Sequence, residues 1–280
     1  MASHISQTKQ EKLARDYSFK SLTDIEKLDI AELVALDTLE AVNSACDPVY
    51  FTPSFYTKYG KRALDVIISL PASVVFAPIN LVLLVGTYID VGAPILFFQR
   101  RIGKDLKMFN LGKFRNMNNE RDANGILLPA SERVTKWGSF VRKHSLDELL
   151  NFYYVLAGKM SIIGPRPMPD EYLPRFNRRH IQRHVIRPGL ECPLHSAEYV
   201  DGMTWQNRFE NDIWYVEHVS LKTDAKMLML LFEDALFGKR REQRGKAEVG
   251  TFIGYDANGN VIVSSHIPKK YYDEIYSRRG

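Results

Sequence analysis

Between residues 21 and 45, Leu22, Ile25, Leu28, Leu33, Leu36 and Leu39 recur three to five positions apart with acidic side chains between them. That spacing predicts an amphipathic helix ending near Asp47-Pro48. Such a helix packs on its own domain or docks a partner. An aromatic, proline-containing stretch follows over residues 48–59, and then the pattern changes. No charged residue occurs from position 66 to 89, a run that would extend about 36 Å as a helix at roughly 1.5 Å per residue. A bilayer core asks for about 20 apolar residues, so the run predicts a membrane helix. Pro71 and Pro78 lie inside it, and each removes a backbone donor and favours a kink. Lys58, Lys61 and Arg62 precede the run, while Arg100, Arg101 and Lys104 follow it. Because cytoplasmic flanks attract Lys and Arg, cations on both sides predict a helix that bends at a proline and returns to the face it entered. A full span is the alternative.

Residues 92–236 read as a mixed globular region, with short strands at 94–99 and 108–114 and helices at 146–156, 205–216 and 223–237. Residues 239–248 form a charged, apolar-poor linker. Beyond them, 251–255 and 261–264 flank Asp256-Ala257-Asn258-Gly259-Asn260, a hairpin turn signal. The expected organisation is α+β: an N-terminal helix and aromatic linker (1–60), a re-entrant membrane helix (61–90), a mixed, mainly helical domain with short strands (91–238), and a linker, hairpin and short helix (239–280).

The formal charge of +5 and pI near 9.0 suit anionic lipid or phosphorylated substrates. Nucleic acid is not expected as a partner, because no recognition motif accompanies the basic residues and the apolar run would go unexplained. The two cysteines, Cys46 and Cys192, stand far apart in no metal-binding pattern, which suits reduced thiols in a cytosolic compartment. The polar residues 1–15 lack the apolar core of a cleaved secretion signal.

Ser145-Leu146-Asp147-Glu148-Leu149-Leu150 carries the sharpest chemistry. Ser followed three residues later by Glu, before an apolar run, reads structurally as a capping box at a helix start. The same placement suits phosphoryl chemistry. Asp147 would sit in a first helical turn that favours anions, where a carboxylate can attack phosphorus and a neighbouring acid can help hold Mg²⁺. Lys113 and Arg115 after a strand, Arg166 in Gly164-Pro165-Arg166-Pro167, and Arg142 are the cations that could neutralise phosphate. Arg175, Arg178, Arg179, Arg183 and Arg187 fall on an expected helix with His180 and His184 among them, a basic face suited to anionic headgroups.

In order along the chain come Lys61-Arg62, Asp65, a helix broken at Pro78, Phe98-Gln99-Arg100-Arg101-Ile102-Gly103 and Lys113-Phe114-Arg115-Asn116-Met117. Ser145-Leu146-Asp147-Glu148-Leu149, Gly164-Pro165-Arg166-Pro167, Arg187-Pro188-Gly189 and Trp214-Tyr215-Val216-Glu217 complete the series. Over residues 61–236 this ordered set resembles the bacterial sugar transferases, the monotopic phosphoglycosyl transferases that begin glycan assembly on polyprenyl phosphate. The resemblance implies a re-entrant helix and a cytosolic catalytic domain on the cytoplasmic face of the bacterial inner membrane. It implies Asp147 as nucleophile and Glu148 beside it, both at a Mg²⁺ site, with Arg142, Lys113, Arg115 and Arg166 on the phosphates. Lys61, Arg62 and Pro78 would serve the polyprenyl phosphate and the membrane lipid. A UDP-sugar would be the donor and polyprenyl phosphate the acceptor, with room for a homodimer or a glycosyltransferase partner. The chain departs from the family over residues 190–202, where no arginine stands between Arg187 and Arg208, and Ala77 replaces a common serine. Either another cation substitutes, with Arg208 and the 175–187 arginines as candidates, or the donor pocket has changed; retained chemistry with a shifted donor preference is expected. A non-catalytic relative that scaffolds glycan assembly is the alternative.

Overall fold

The computed structural model describes residues 17–196, 204–237 and 250–279. Along them run α1 (Asp24–Ala45), α2 (Lys61–Val91), the strands β1 (Leu96–Ile102) and β2 (Met108–Phe114), α3 (Lys136–Lys143) and α4 (Asn151–Leu156). Then come β3 (Ser161–Ile163), β4 (Gly189–Glu191), α5 (Trp205–His218), α6 (Leu221–Phe237), β5 (Phe252–Tyr255), β6 (Val261–Val263) and α7 (Lys269–Arg278). The strands form separate two-stranded sheets: β1–β2 and β5–β6 are antiparallel, and β3–β4 is parallel. The expected linker at 239–248 lies outside the described residues, as do residues 1–15 and positions 197–202 of the divergent segment.

Helix α1 starts at a reciprocal cap. Glu26 N–H donates to the Thr23 hydroxyl at 3.3 Å, and the Thr23 N–H donates to the Glu26 carboxylate at 2.8 Å. It ends at Cys46, just before Asp47-Pro48, as its spacing predicts. Its inner face packs on the other end of the chain. Leu22, Ile30 and Val34 share one apolar cluster with Ile253, Ile262, Tyr271, Tyr272 and Ile275. A second cluster joins that assembly to the central region through Val42, Ile102, Met168, Tyr172, Phe176, Phe209, Phe252 and Tyr255.

Helix α2 is inside-out relative to a water-soluble helix. Its buried positions are Lys61, Asp65, Ser69, Ser73, Asn80, Leu83 and Thr87, which recur at helical spacing and are nearly all polar. Its outward side chains are apolar: Ile67, Leu70, Val74, Val75, Leu81, Val82, Val85 and Ile89 are all exposed. A row of this kind is costly in water and favourable in hydrocarbon, and α2 is long and apolar enough to cross a membrane. The helix continues unbroken through Pro71 and Pro78, where the sequence predicts a break at Pro78. Pro78 deprives the Val74 carbonyl of its helical donor, and one residue away Tyr153 Oη donates to Ser73 O at 3.1 Å.

Two local expectations are corrected. Residues 146–156 are not one capped helix: Ser145 is left-handed at φ 54° and makes no side-chain cap, and a 3₁₀ turn (Leu146–Glu148) precedes α4. The arginine-rich stretch is not a solvated basic helix but two 3₁₀ turns, Asp170–Arg175 and His180–Val185, that bury Arg175, Arg183, His180 and His184. These groups are consumed as braces. Arg175 donates to Phe252 O at 2.6 Å, and His180 bonds Tyr255 Oη and Glu210 at 2.8 Å each. Burial works against the Glu210 charge, but the His180 and Arg179 bonds outweigh it and hold that carboxyl at about 2.

Candidate active site

Three segments converge on one acidic pair. Strand β2 pairs with β1 through all of its residues, setting Phe97 opposite Lys113 and bringing the Lys113 ammonium over the 146–148 turn. That turn is pinned by Leu146, Leu149 and Leu150, which pack on Leu83, Phe114 and Val141, so the acids between them face the other way. The third segment is Gly164-Pro165-Arg166-Pro167 after β3. Here the backbone crosses Arg187-Pro188-Gly189 so closely that a Cβ on Gly189 would lie 2.1 Å from Gly164 N, and only glycine fits. Gly189 N–H donates to Pro165 O at 2.9 Å, and Gly164 N–H to Glu191 O at 3.1 Å.

The geometry is that of a clamped carboxylate pair. Lys113 Nζ lies 3.5 Å from Asp147 Oδ2 and 3.3 Å from Glu148 Oε1. Arg166 reaches the same Glu148 oxygen at 2.5 Å and stands 3.8 Å from Glu191 on its other side. Burial resists ionisation of Glu148, yet Arg166 and Lys113 overcome it and hold the carboxyl below its ordinary range. Asp147 is buried, and its Oδ1, like Glu148 Oε2, has no protein partner among the described residues. Two carboxylates with free oxygens match what Mg²⁺ asks of a protein, since that ion takes one or two carboxylates and completes its shell with water and phosphate oxygens. Among the described residues no group of three His, Cys, Asp or Glu side chains gathers.

Other expected residues fall elsewhere. Arg115 donates to Pro94 O at 2.9 Å and to Asn119 at 3.1 Å, bracing a loop instead of facing the acids. Arg142 is exposed in the last turn of α3 and forms no ion pair among the described residues. Lys61 and Arg62 are staples. Lys61 is buried against Asp224 at 2.7 Å and Tyr215 Oη at 2.8 Å, and Arg62 donates to Val155 O and Leu156 O at 2.6 Å each, at the carbonyl end of α4. Both cations thus tie α2 to the rest of the chain. Pro78 lies inside the continuous helix α2.

Sequence reasoning counted Arg101 among the cations flanking the apolar run but not at the site, where it lines a small cleft with Lys113, Asn151, Arg166 and Gly189 and donates to Pro167 O at 2.9 Å. Its signal was alternation along β1, two residues from Gln99, which accepts from it. Buried Arg183 supports the same turn, donating to Arg166 O at 3.0 Å while paired to Asp212 at 2.5 Å. Arg208 belongs to this neighbourhood: burial lowers its pKa, Glu191 and Asp212 hold it up, and Arg166 and Arg183 lower it further. It thus stands near the segment that lacks an arginine of its own.

Comparison with known proteins places this site within one family. Residues 56–238, well over half of the chain, match the bacterial sugar transferase family. An uncharacterized sugar transferase, EpsL, from Bacillus subtilis is 37% identical over 166 residues, covering 59% of this chain and 82% of that protein. A UDP-N-acetylgalactosamine-undecaprenyl-phosphate N-acetylgalactosaminephosphotransferase from Aeromonas hydrophila is 31% identical over 193 residues, covering 66% of this chain and 46% of its own length. A UDP-glucose:undecaprenyl-phosphate glucose-1-phosphate transferase from Xanthomonas campestris is 31% identical over 185 residues, covering 62% and 38%. The match thus spans most of EpsL and less than half of the other two.

Proposed function

The chain belongs to the bacterial sugar transferase family, and from that premise we propose that it transfers a hexose-1-phosphate from a UDP-sugar to polyprenyl phosphate. The observation that carries this reading is the Asp147–Glu148 pair clamped by Lys113 and Arg166. The names of the Aeromonas and Xanthomonas relatives support the donor and acceptor classes.

The chemistry runs in two displacements. An Asp147 carboxylate oxygen attacks the sugar-bearing phosphorus; that P–O bond forms as the bond to the departing UMP oxygen breaks, and UMP leaves with the electron pair. A phosphate oxygen of the polyprenyl acceptor then attacks the same phosphorus, and the Asp147 carboxylate is restored. Lys113 and Arg166 neutralise the charge that builds on the phosphoryl oxygens, which is the principal demand of such a reaction. Asp147 and Glu148 would hold Mg²⁺, which supplies further neutralisation of the donor diphosphate when bound. Asp147→Asn should abolish turnover with folding and membrane association intact. Wild-type protein given donor alone should gain the mass of one phosphosugar by intact-protein mass spectrometry. Robust turnover by the Asn variant would overturn the assignment. EDTA should stop the reaction and added Mg²⁺ restore it, measured as UMP release.

The same reading sets α2 as a re-entrant element at the cytoplasmic face of the inner membrane. Lys58 before the helix and Lys104 after it line one cleft, which supports their lying on one side of a bilayer. Cysteines at 58 and 104 should therefore label from the cytoplasmic side alone, and labelling from opposite sides would show a spanning helix instead.

A further inference from the structure

The cleft that joins Lys58 to Lys104 has a composition that the transfer chemistry does not use. It measures about 410 Å³ and is lined by residues on both sides of α2 and by the 185–187 segment. Its cations are Lys58, Lys61, Lys104 and Arg187, and no carboxylate lines it. Lys61 is spent on Asp224. The other three keep donors free. Arg187 commits only Nε, to Gly158 O at 3.1 Å, and Lys104 stands at the limit of ion pairing, 4.0 Å from Asp105. The turn that presents Lys104 holds two non-glycine residues in the left-handed region, Asp105 at φ 52° and Leu106 at φ 60°, a conformation that local packing must sustain. The remaining wall is largely apolar, with Phe51, Pro53, Val185, Ile186 and Val219 beside the hydroxyl-bearing Thr57 and Tyr59. None of its lining residues belongs to the cleft beside Lys113 and Arg166.

Position completes the picture. The mouth lies at the N-terminal end of α2, beside exposed Phe55 and Tyr59, an aromatic rim of the sort that sits at headgroup level. Lys58, Arg187 and the loosely paired Lys104, beside a largely apolar wall at that depth, complement one class of molecule, an amphiphile whose head is a phosphate and whose stem is hydrocarbon. We propose that this cleft is a binding site for the phosphate of an anionic bilayer phospholipid, which fixes the depth and tilt of the catalytic region on the membrane. The proposal requires α2 to lie in a membrane, but it is independent of the transfer chemistry.

The test is native mass spectrometry on the full chain in detergent, titrated with dioctanoyl phosphatidylglycerol and, separately, dioctanoyl phosphatidylcholine. One phosphatidylglycerol per chain should bind, with phosphatidylcholine roughly tenfold weaker or more. The double variant Lys58→Gln, Lys104→Gln changes only exposed side chains, so its unfolding temperature should hold. Its phosphatidylglycerol affinity should fall by roughly tenfold or more. Equal binding of the two lipids, or undiminished binding by the double variant, would overturn the site. Displacement of phosphatidylglycerol by equimolar inorganic phosphate would make it a free-anion site, and selective uptake of polyprenyl phosphate would make it an acceptor site. Either result also defeats the proposal. Binding is read without turnover, so an inactive protein that still takes up phosphatidylglycerol fails the function and not the site.

Discussion

Arg166 spends its guanidinium on two acids at once, Glu148 at 2.5 Å and Glu191 at 3.8 Å, and its backbone carbonyl is held by Arg183. Two directions of reach from one planar group are what a lysine cannot supply. Arg166→Lys should therefore lower kcat/KM by about a hundredfold, the order seen when one fixed donor to a developing oxyanion is lost. Steady-state kinetics with UDP-sugar checks it. A second residue-scale consequence concerns acid. Burial, and then the Arg183 charge, push His184 from 6.5 down to about 3, against the Ile181 carbonyl bond. The unfolded chain thus takes up a proton that the folded chain refuses, so His184 contributes stability in full above pH 6.5 and loses it as pH falls toward 3. His184→Phe should flatten the fall of the unfolding temperature across that window, and an unchanged slope would remove His184 as its cause. Among single residues, Asp147, Glu148, Lys113 and Arg166 were legible in the sequence because their types suit one reaction and they stand in short motifs. Arg115, Lys61 and Arg62 belong to equally suggestive motifs. What separates them is a set of backbone carbonyls and a buried Asp224, partners that no local pattern discloses.

Elements whose whole length obeys one period were read well. Strand β2 and helix α5 begin where alternation and helical spacing place them, and the uncharged run is one helix. The failures share a cause. The 146–156 segment and the 170–187 stretch are built from 3₁₀ turns whose form is set by tertiary braces, so propensity and capping signals misstate them. The capping box in particular was lost because Glu148, which should have turned back to the Ser145 N–H, is claimed by Arg166 and Lys113. A sharper test of element-level design is the β3–β4 crossing. Gly189→Ala sets a methyl group 2.1 Å from Gly164 N, against backbone that has nowhere to retreat. It should cost about 1–3 kcal/mol of stability, read by thermal unfolding, and should lower activity by moving Arg166.

At the scale of the whole molecule, the two chain ends outside the family match close on one another and then on the site's supports. Phe252 is the keystone of that contact: it is fully buried among Tyr172, Phe176, Trp205 and Phe209, and its carbonyl accepts from Arg175. Phe252→Ala should destabilise the protein by about 3–5 kcal/mol and lower its unfolding temperature accordingly. The staples of α2 carry a different consequence, one of timing. Lys61 is satisfied by Tyr215 and Asp224, 154 and 163 residues further along, and among the described residues Asp65 accepts from Ser161 and Ile162. At about 5–20 residues per second, a ribosome needs on the order of ten to thirty seconds to make Asp224 after Lys61. During that interval the apolar face of α2 already favours lipid while its polar face has no protein to meet. On the membrane reading proposed above, the helix would reach lipid as an unfinished half, and the rest of the chain would assemble onto it there.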